Sequence, residues 1–92
     1  MGGELQPGEM GLLPELFGAD RWAELAAHLS LPPRQAQIAR LICRGCCNKQ
    51  IAQYLGIAPD TVRMQMKGLY LNLEVNDRVG AVVRVVLAER TL

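Results

Sequence analysis

The sequence predicts an all-α protein: a four-helix domain preceded by a short N-terminal helix and a flexible leader. From Leu31 onward, apolar residues recur at helical spacing in four short groups. Helix punctuation bounds the first three, with Pro33 and Pro59 at starts and Gly45 and Gly56 at stops. The breaks between groups leave no room for a sheet. Ninety-two residues, half of them hydrophobic, suffice for one modest core and not for two.

Gly2, Gly3, Pro7, Gly8, Gly11 and Pro14 interrupt the first residues so densely that residues 1–18 read as a flexible leader. Residues 19–30 form the N-terminal helix. Asp20 is expected to cap a helix over Arg21 to Leu29, in which Trp22, Leu25, Ala26 and Leu29 share one side and Trp22 anchors it on the following domain. Residues 31–92 make up that domain.

Its first helix opens at Pro33, carries Ile38, Leu41 and Ile42 on one face and ends near Arg44. The second runs from Asn48 to about Tyr54 with Ile51, Ala52 and Leu55 inward, and Gly56 supplies its left-handed stop. The third spans about Pro59 to Leu73. Val62, Met66, Leu69, Tyr70 and Leu73 make its buried stripe, and Asp60, Arg63, Met64 and Lys67 line the opposite face. The last, Asp77 to about Glu89, starts at a cap on Asn76 or Asp77. Its valine run also suits a strand, but nothing else in the chain supplies a sheet edge. As a helix, Val79, Val82, Val83, Val86 and Leu87 cover one side, and Ala81, Val85 and Ala88 extend the apolar surface around it. One side can pack inward while the other meets a second copy.

Charge divides the chain near Ser30. Before it Glu4, Glu9, Glu15, Asp20 and Glu24 face only Arg21. After it Arg34, Arg40, Arg44, Lys49, Arg63, Lys67, Arg78, Arg84 and Arg90 outnumber Asp60, Glu74, Asp77 and Glu89. A basic domain behind an acidic leader is the footprint of a polyanion binder, since phosphate neutralisation supplies most non-specific affinity.

A helix, a tight turn containing glycine and a second helix form the unit that places its second helix in the DNA major groove. Here the second helix is Pro59 to Leu73. Arg63, Met64 and Lys67 project together from the N-terminal half of its outer face, where base edges are contacted. Arg63 suits bidentate contact with guanine, Lys67 a guanine or a phosphate, and Met64 a thymine methyl.

These residues carry a resemblance. Pro33-Arg34-Gln35-Ala36-Gln37-Ile38, Gly45-Cys46-Cys47-Asn48-Lys49-Gln50-Ile51-Ala52, Leu55-Gly56-Ile57, Thr61-Val62-Arg63 and the stretch from Leu73 to Val82 together resemble the LuxR/FixJ-type (GerE-like) DNA-binding domain. The resemblance implies a four-helix fold that binds double-stranded DNA as a homodimer to regulate transcription. It places base contacts on Arg63, Met64 and Lys67, and backbone contacts on Lys49, Thr61 and Gln65. It assigns dimerisation to the last helix, hence to Val79, Val82, Val83 and Val86. The sequence departs from that pattern where glutamates usually stand, at Gln35 and Gln37, and where Ser or Thr caps usually stand, at Pro32, Cys47 and Ala58. Each lost cap costs about 1 kcal/mol, and Gly68 inside the recognition helix about another 1 kcal/mol. Bacterial sigma-factor region four shares the Leu31-Pro32-Pro33-Arg34-Gln35 start, but the Val75-Asn76-Asp77-Arg78 entry to the last helix favours the first family.

Other chemistry is thinly represented. Cys43, Cys46, Cys47 and His28 number four, but Cys43 and Cys46 fall where a helix face and turn bury small apolar residues, so neither metal nor cofactor is expected. Cys47, at a helix N-terminus, is a candidate redox sensor. No Gly-rich phosphate loop, carboxylate pair or nucleophile with a base appears, so no enzyme is expected. No apolar run is long enough for a membrane span, and the opening residues lack a secretory pattern, so the expected location is the cytoplasm. A second reading keeps the fold but gives it a protein partner: the acidic leader or the valine-rich helix would bind another regulator, or the transcription machinery, instead of DNA.

Overall fold

A computed structural model describes residues 12–92. Five helices follow one another: α1 (Ala19–His28), α2 (Pro33–Cys43), α3 (Asn48–Leu55), α4 (Pro59–Leu73) and α5 (Arg78–Arg90). There is no strand among the described residues. Pro33 and Pro59 occupy first-turn positions of α2 and α4, where a missing N–H costs no helix bond. Gly45 and Gly56 adopt positive φ, 83° and 66°, at the turns after α2 and α3. Asp77 caps α5, its carboxylate accepting from the Gly80 N–H at 2.8 Å. The valine run is helical, within Arg78–Arg90.

The start of α1 differs from expectation. The helix begins at Ala19 after an extended Gly18, whose carbonyl accepts from the Trp22 N–H at 3.0 Å. Asp20 lies inside the first turn and makes no cap bond. There its charge still complements the helix dipole.

Helix α4 is the centre of the packing, set against α2 and α3; α5 closes over α2 and α4, and α1 lies across α5 and α2. Leu25, Ile38, Ile51, Val62, Leu69, Leu73 and Val85 are fully buried where these helices meet. Each such side chain contributes roughly 1.5–3 kcal/mol by leaving water. Pro32 and Ala58 make no side-chain cap bond, at about 1 kcal/mol each. Packing therefore outweighs the missing caps. At α3, Gln50 compensates for the absent Ser or Thr: its Oε1 accepts from the Cys47 N–H at 2.8 Å.

Residues 1–11 of the expected leader lie outside the described residues. Residues 12–18 form no helix, yet they are tied to α2. The Leu13 N–H donates to the Arg44 carbonyl and Arg44 Nε donates back to the Leu13 carbonyl, both at 2.8 Å. Glu15 pairs with Arg40 at 3.1 Å and with Arg44 at 3.6 Å. Phe17 leans on Trp22 with ring centroids 5.3 Å apart. Trp22 is buried, anchoring α1, although its indole N–H finds no acceptor among the described residues.

On α5 the small side faces inward: Ala81, Val85 and Ala88 are buried. Val79, Val83 and Leu87 point out, while Val82 and Val86 lie half-buried at the border, Val82 against the core. No described helix is long and apolar enough to cross a membrane.

Candidate nucleic-acid interface

Gly56 in the left-handed region ends α3, the Ile57 N–H returns to the Ala52 carbonyl at 3.1 Å, and Pro59 opens α4. This tight turn sets α4 across α3. Burial of Val62, Met66, Leu69 and Leu73 then fixes the rotation of α4 and leaves its other side in solvent.

That outer side carries Asp60, Arg63, Met64, Lys67 and Leu71, all exposed. Met64 and Leu71 are 72% and 78% exposed, so neither fills a core. They stand two turns apart, about 10 Å along the axis, with Lys67 between them. Arg63 forms an ion pair with Asp60 one turn earlier. Lys67 and Lys49 have no carboxylate partner among the described residues. Arg63 and Lys67 also border a shallow groove with Asn48, Met66 and Tyr70, which brings the start of α3 beside the outer face of α4. Burial pushes the Tyr70 phenol up.

The remaining expected contacts lie around this face. Thr61 is exposed on the first turn of α4, Gln65 is half-buried on its flank, and Lys49 is exposed on the first turn of α3. Lys49 rims a separate groove between α3 and the turn, with Gln53, Gly56 and Pro59. The structure thus groups Arg63, Met64 and Lys67 tightly and sets Lys49 to one side.

Two supports escaped the sequence reading. Arg78, at the start of α5, donates to the Cys46 carbonyl at 2.5 Å and to Asn48 Oδ1 at 2.8 Å, locking the α2–α3 turn and the first residue of α3. Its sequence signal was present in the Asp77-Arg78 entry, but its targets are about thirty residues away. Gly68 also has a purpose that propensity hides. A Cβ there would lie 2.7 Å from Gln35 Nε2, so the glycine leaves room for the Gln35 amide, whose Oε1 accepts from Asn72 Nδ2 at 2.7 Å.

The cysteines divide by burial. Burial, and then the nearby Glu15 charge, pushes the Cys43 thiol up to about 11, and burial also raises Cys46. Both behave as small apolar residues. Cys47 is exposed at the start of α3. No group of three or more His, Cys, Asp and Glu side chains is placed to hold a metal ion among the described residues.

A helix, a glycine turn and a second helix with an exposed cationic outer face define a helix-turn-helix DNA-binding module. The family model for bacterial regulatory proteins of the luxR family matches residues 29–85, from the end of α1 into α5. The chain belongs to that family. Over 71 residues it is 31% identical to the HTH-type transcriptional regulator AlkS of Ectopseudomonas oleovorans, which is 77% of this chain and 8% of that protein. Over 54 residues it is 41% identical to the nitrate/nitrite response regulator protein homolog of Haemophilus influenzae, covering 59% of this chain and 26% of that protein. The chain therefore matches only a small part of the length of these relatives.

Proposed function

We propose that this protein is a sequence-specific transcription regulator that lays α4 in the major groove. Arg63, Met64 and Lys67 meet base edges there, and Lys49, Thr61 and Gln65 contact the sugar-phosphate backbone. The observation that carries the reading is the outer face of α4: two cationic side chains beside a solvent-exposed methionine, on the helix that follows a glycine turn. Arginine on guanine O6 and N7 and an apolar side chain on a thymine methyl are direct readout, the bidentate arginine contact worth roughly 1–3 kcal/mol of discrimination.

The protein acts as a homodimer through α5. Val79 and Val83 supply the outward apolar surface, Val82 and Val86 its edges, and the exposed Leu87 extends it. A two-fold pair of α4 helices then reads paired half-sites about one helical turn apart.

The test is selection from a random duplex pool by the purified protein, beside a folded Arg63→Ala/Lys67→Ala variant. A paired motif recovered by the parent and lost in the variant supports the reading. Absence of duplex affinity even at low salt refutes it and moves the protein-partner alternative to first place.

A further inference from the structure

A carboxylate on a DNA-reading face is unfavourable unless something offsets it, because the groove lies between two rows of phosphates. Asp60 is such a group. It sits in the first turn of α4 with its side chain 81% exposed, and it is paired with Arg63, whose side chain is 60% exposed. In water an exposed pair one turn apart is worth little, and the carboxylate's local contribution is to complement the α4 dipole, as Asp20 does on α1. In a groove that excludes water the same pair strengthens as the effective dielectric falls.

We propose that Asp60 is a specificity-determining residue that works through Arg63. A lone arginine on a helix flank reaches a phosphate as easily as a base, and a phosphate contact carries no sequence information. Paired with Asp60, the Arg63 guanidinium is held over the groove floor, where guanine O6 and N7 accept its remaining N–H donors. The phosphates repel the carboxylate, which keeps the pair away from the strand backbones. Asp60 also has acceptor capacity to spare, and the only base-edge donors in the major groove are the amino groups of cytosine and adenine. The favoured site therefore places guanine under Arg63 and an amino-bearing base, cytosine or adenine, at the neighbouring step. Other sequences leave the carboxylate without a donor and are rejected.

This inference rests on the DNA-binding reading above, and its test separates the two. Random-pool selection and salt titrations are run on the parent chain and on Asp60→Ala, Asp60→Asn, Asp60→Glu, Arg63→Ala and the Asp60→Ala/Arg63→Ala double variant, each confirmed folded by its thermal melt. In Asp60→Ala and Asp60→Asn, the guanine preference at one position, about tenfold in the parent, is expected to fall to about twofold. Affinity for unrelated duplex rises, and the slope of log K against log salt steepens by about 0.9, as Arg63 moves to a phosphate. Asp60→Glu, which keeps the charge within reach of Arg63, restores both. In the Arg63→Ala background, Asp60→Ala no longer alters the preference at the guanine position. If Asp60→Ala keeps the parent motif and salt slope, or alters that position equally without Arg63, the proposal is overturned while DNA binding stands. A parent chain that enriches no motif overturns both.

Discussion

The two sides of this small domain treat their cations differently. On the side built from residues 12–18, α1 and α2, three arginines are paired, Arg40 and Arg44 with Glu15 and Arg21 with Glu24 and Glu89, and Arg34 has no ion pair among the described residues. On the side built from α3 and α4, Arg63 is paired within its own helix with Asp60, while Lys49 and Lys67 face solvent with no carboxylate partner among the described residues. Counting charges along the chain treated all the basic residues after Ser30 as one footprint. The structure divides them. Part of the acidic N-terminal stretch neutralises arginines of α1 and α2, whereas Lys49 and Lys67 on the α3–α4 side keep their charge without a carboxylate beside them among the described residues.

The largest expected effect comes from making the same charge reversal on each side. Lys67→Glu should lower duplex affinity by on the order of 100-fold at moderate salt, because it removes a cation and adds an anion against phosphate. Arg40→Glu should change affinity by no more than about threefold. Filter binding or fluorescence anisotropy at matched ionic strength measures both. Equal losses would mean that α2 also touches DNA and would erase the distinction between the sides.

Arg78 joins the two sides and gives the next effect. It is part-buried and holds the Cys46 carbonyl and Asn48 at once, so Arg78→Ala leaves two part-buried acceptors without this donor. The expected cost is about 2 kcal/mol of stability. Because Asn48 begins α3 beside Lys49, the variant should also bind DNA less tightly at temperatures where it remains folded. Chemical denaturation and anisotropy together check this.

Local signals and distant ones differed in how far the sequence disclosed them. The bounds of α2, α3 and α4 were legible because Pro33, Gly56 and Pro59 act on their own backbone. The exposed trio on α4 was legible because helical spacing fixes which residues oppose Val62, Met66 and Leu69. What periodicity cannot report is a partner far along the chain. Glu15 reaches Arg40, Arg78 reaches Cys46, and Gln35 fills the space that Gly68 leaves. Asp20 departs from the cap expected of it for a related reason: Gly18 is the cap residue and Ala19 the first helical one, which sets the carboxylate two positions inward. Leu71 was passed over because one leucine among alternating apolar residues gives no sign of being exposed.

The buried thiol on α2 gives a pH test confined to the packed side. Cys43 is raised from 9.0 to about 11 in the folded chain, so the folded state keeps a proton that the unfolded state loses first. The stability this contributes is complete below pH 9 and is lost as pH rises through 11. The expected excess loss relative to Cys43→Ala is on the order of 2 kcal/mol between those limits. Urea midpoints of the two proteins at pH 8 and near pH 11 measure it. Parallel losses would show that the thiol is hydrated in the native state.

Helix α4 ends on a local backbone cost, as the chain does at Ser30 after α1, where φ is 55°. Its C-cap, Glu74, sits at φ 60°, where a side chain is strained and glycine is not. Glu74 is exposed, and its N–H still returns to the Leu71 carbonyl at 3.1 Å, so only the backbone conformation disfavours it. Glu74→Gly should therefore stabilise the domain by about 1 kcal/mol, less the entropy that glycine gives the unfolded chain. Residue 74 follows the last turn of α4, about 16 Å along the axis from Arg63. The substitution should leave the preference for guanine unchanged while raising the melting temperature by several degrees. A gain in stability with altered base preference would mean that the angle of α4, and not its side chains alone, sets what the reading side recognises.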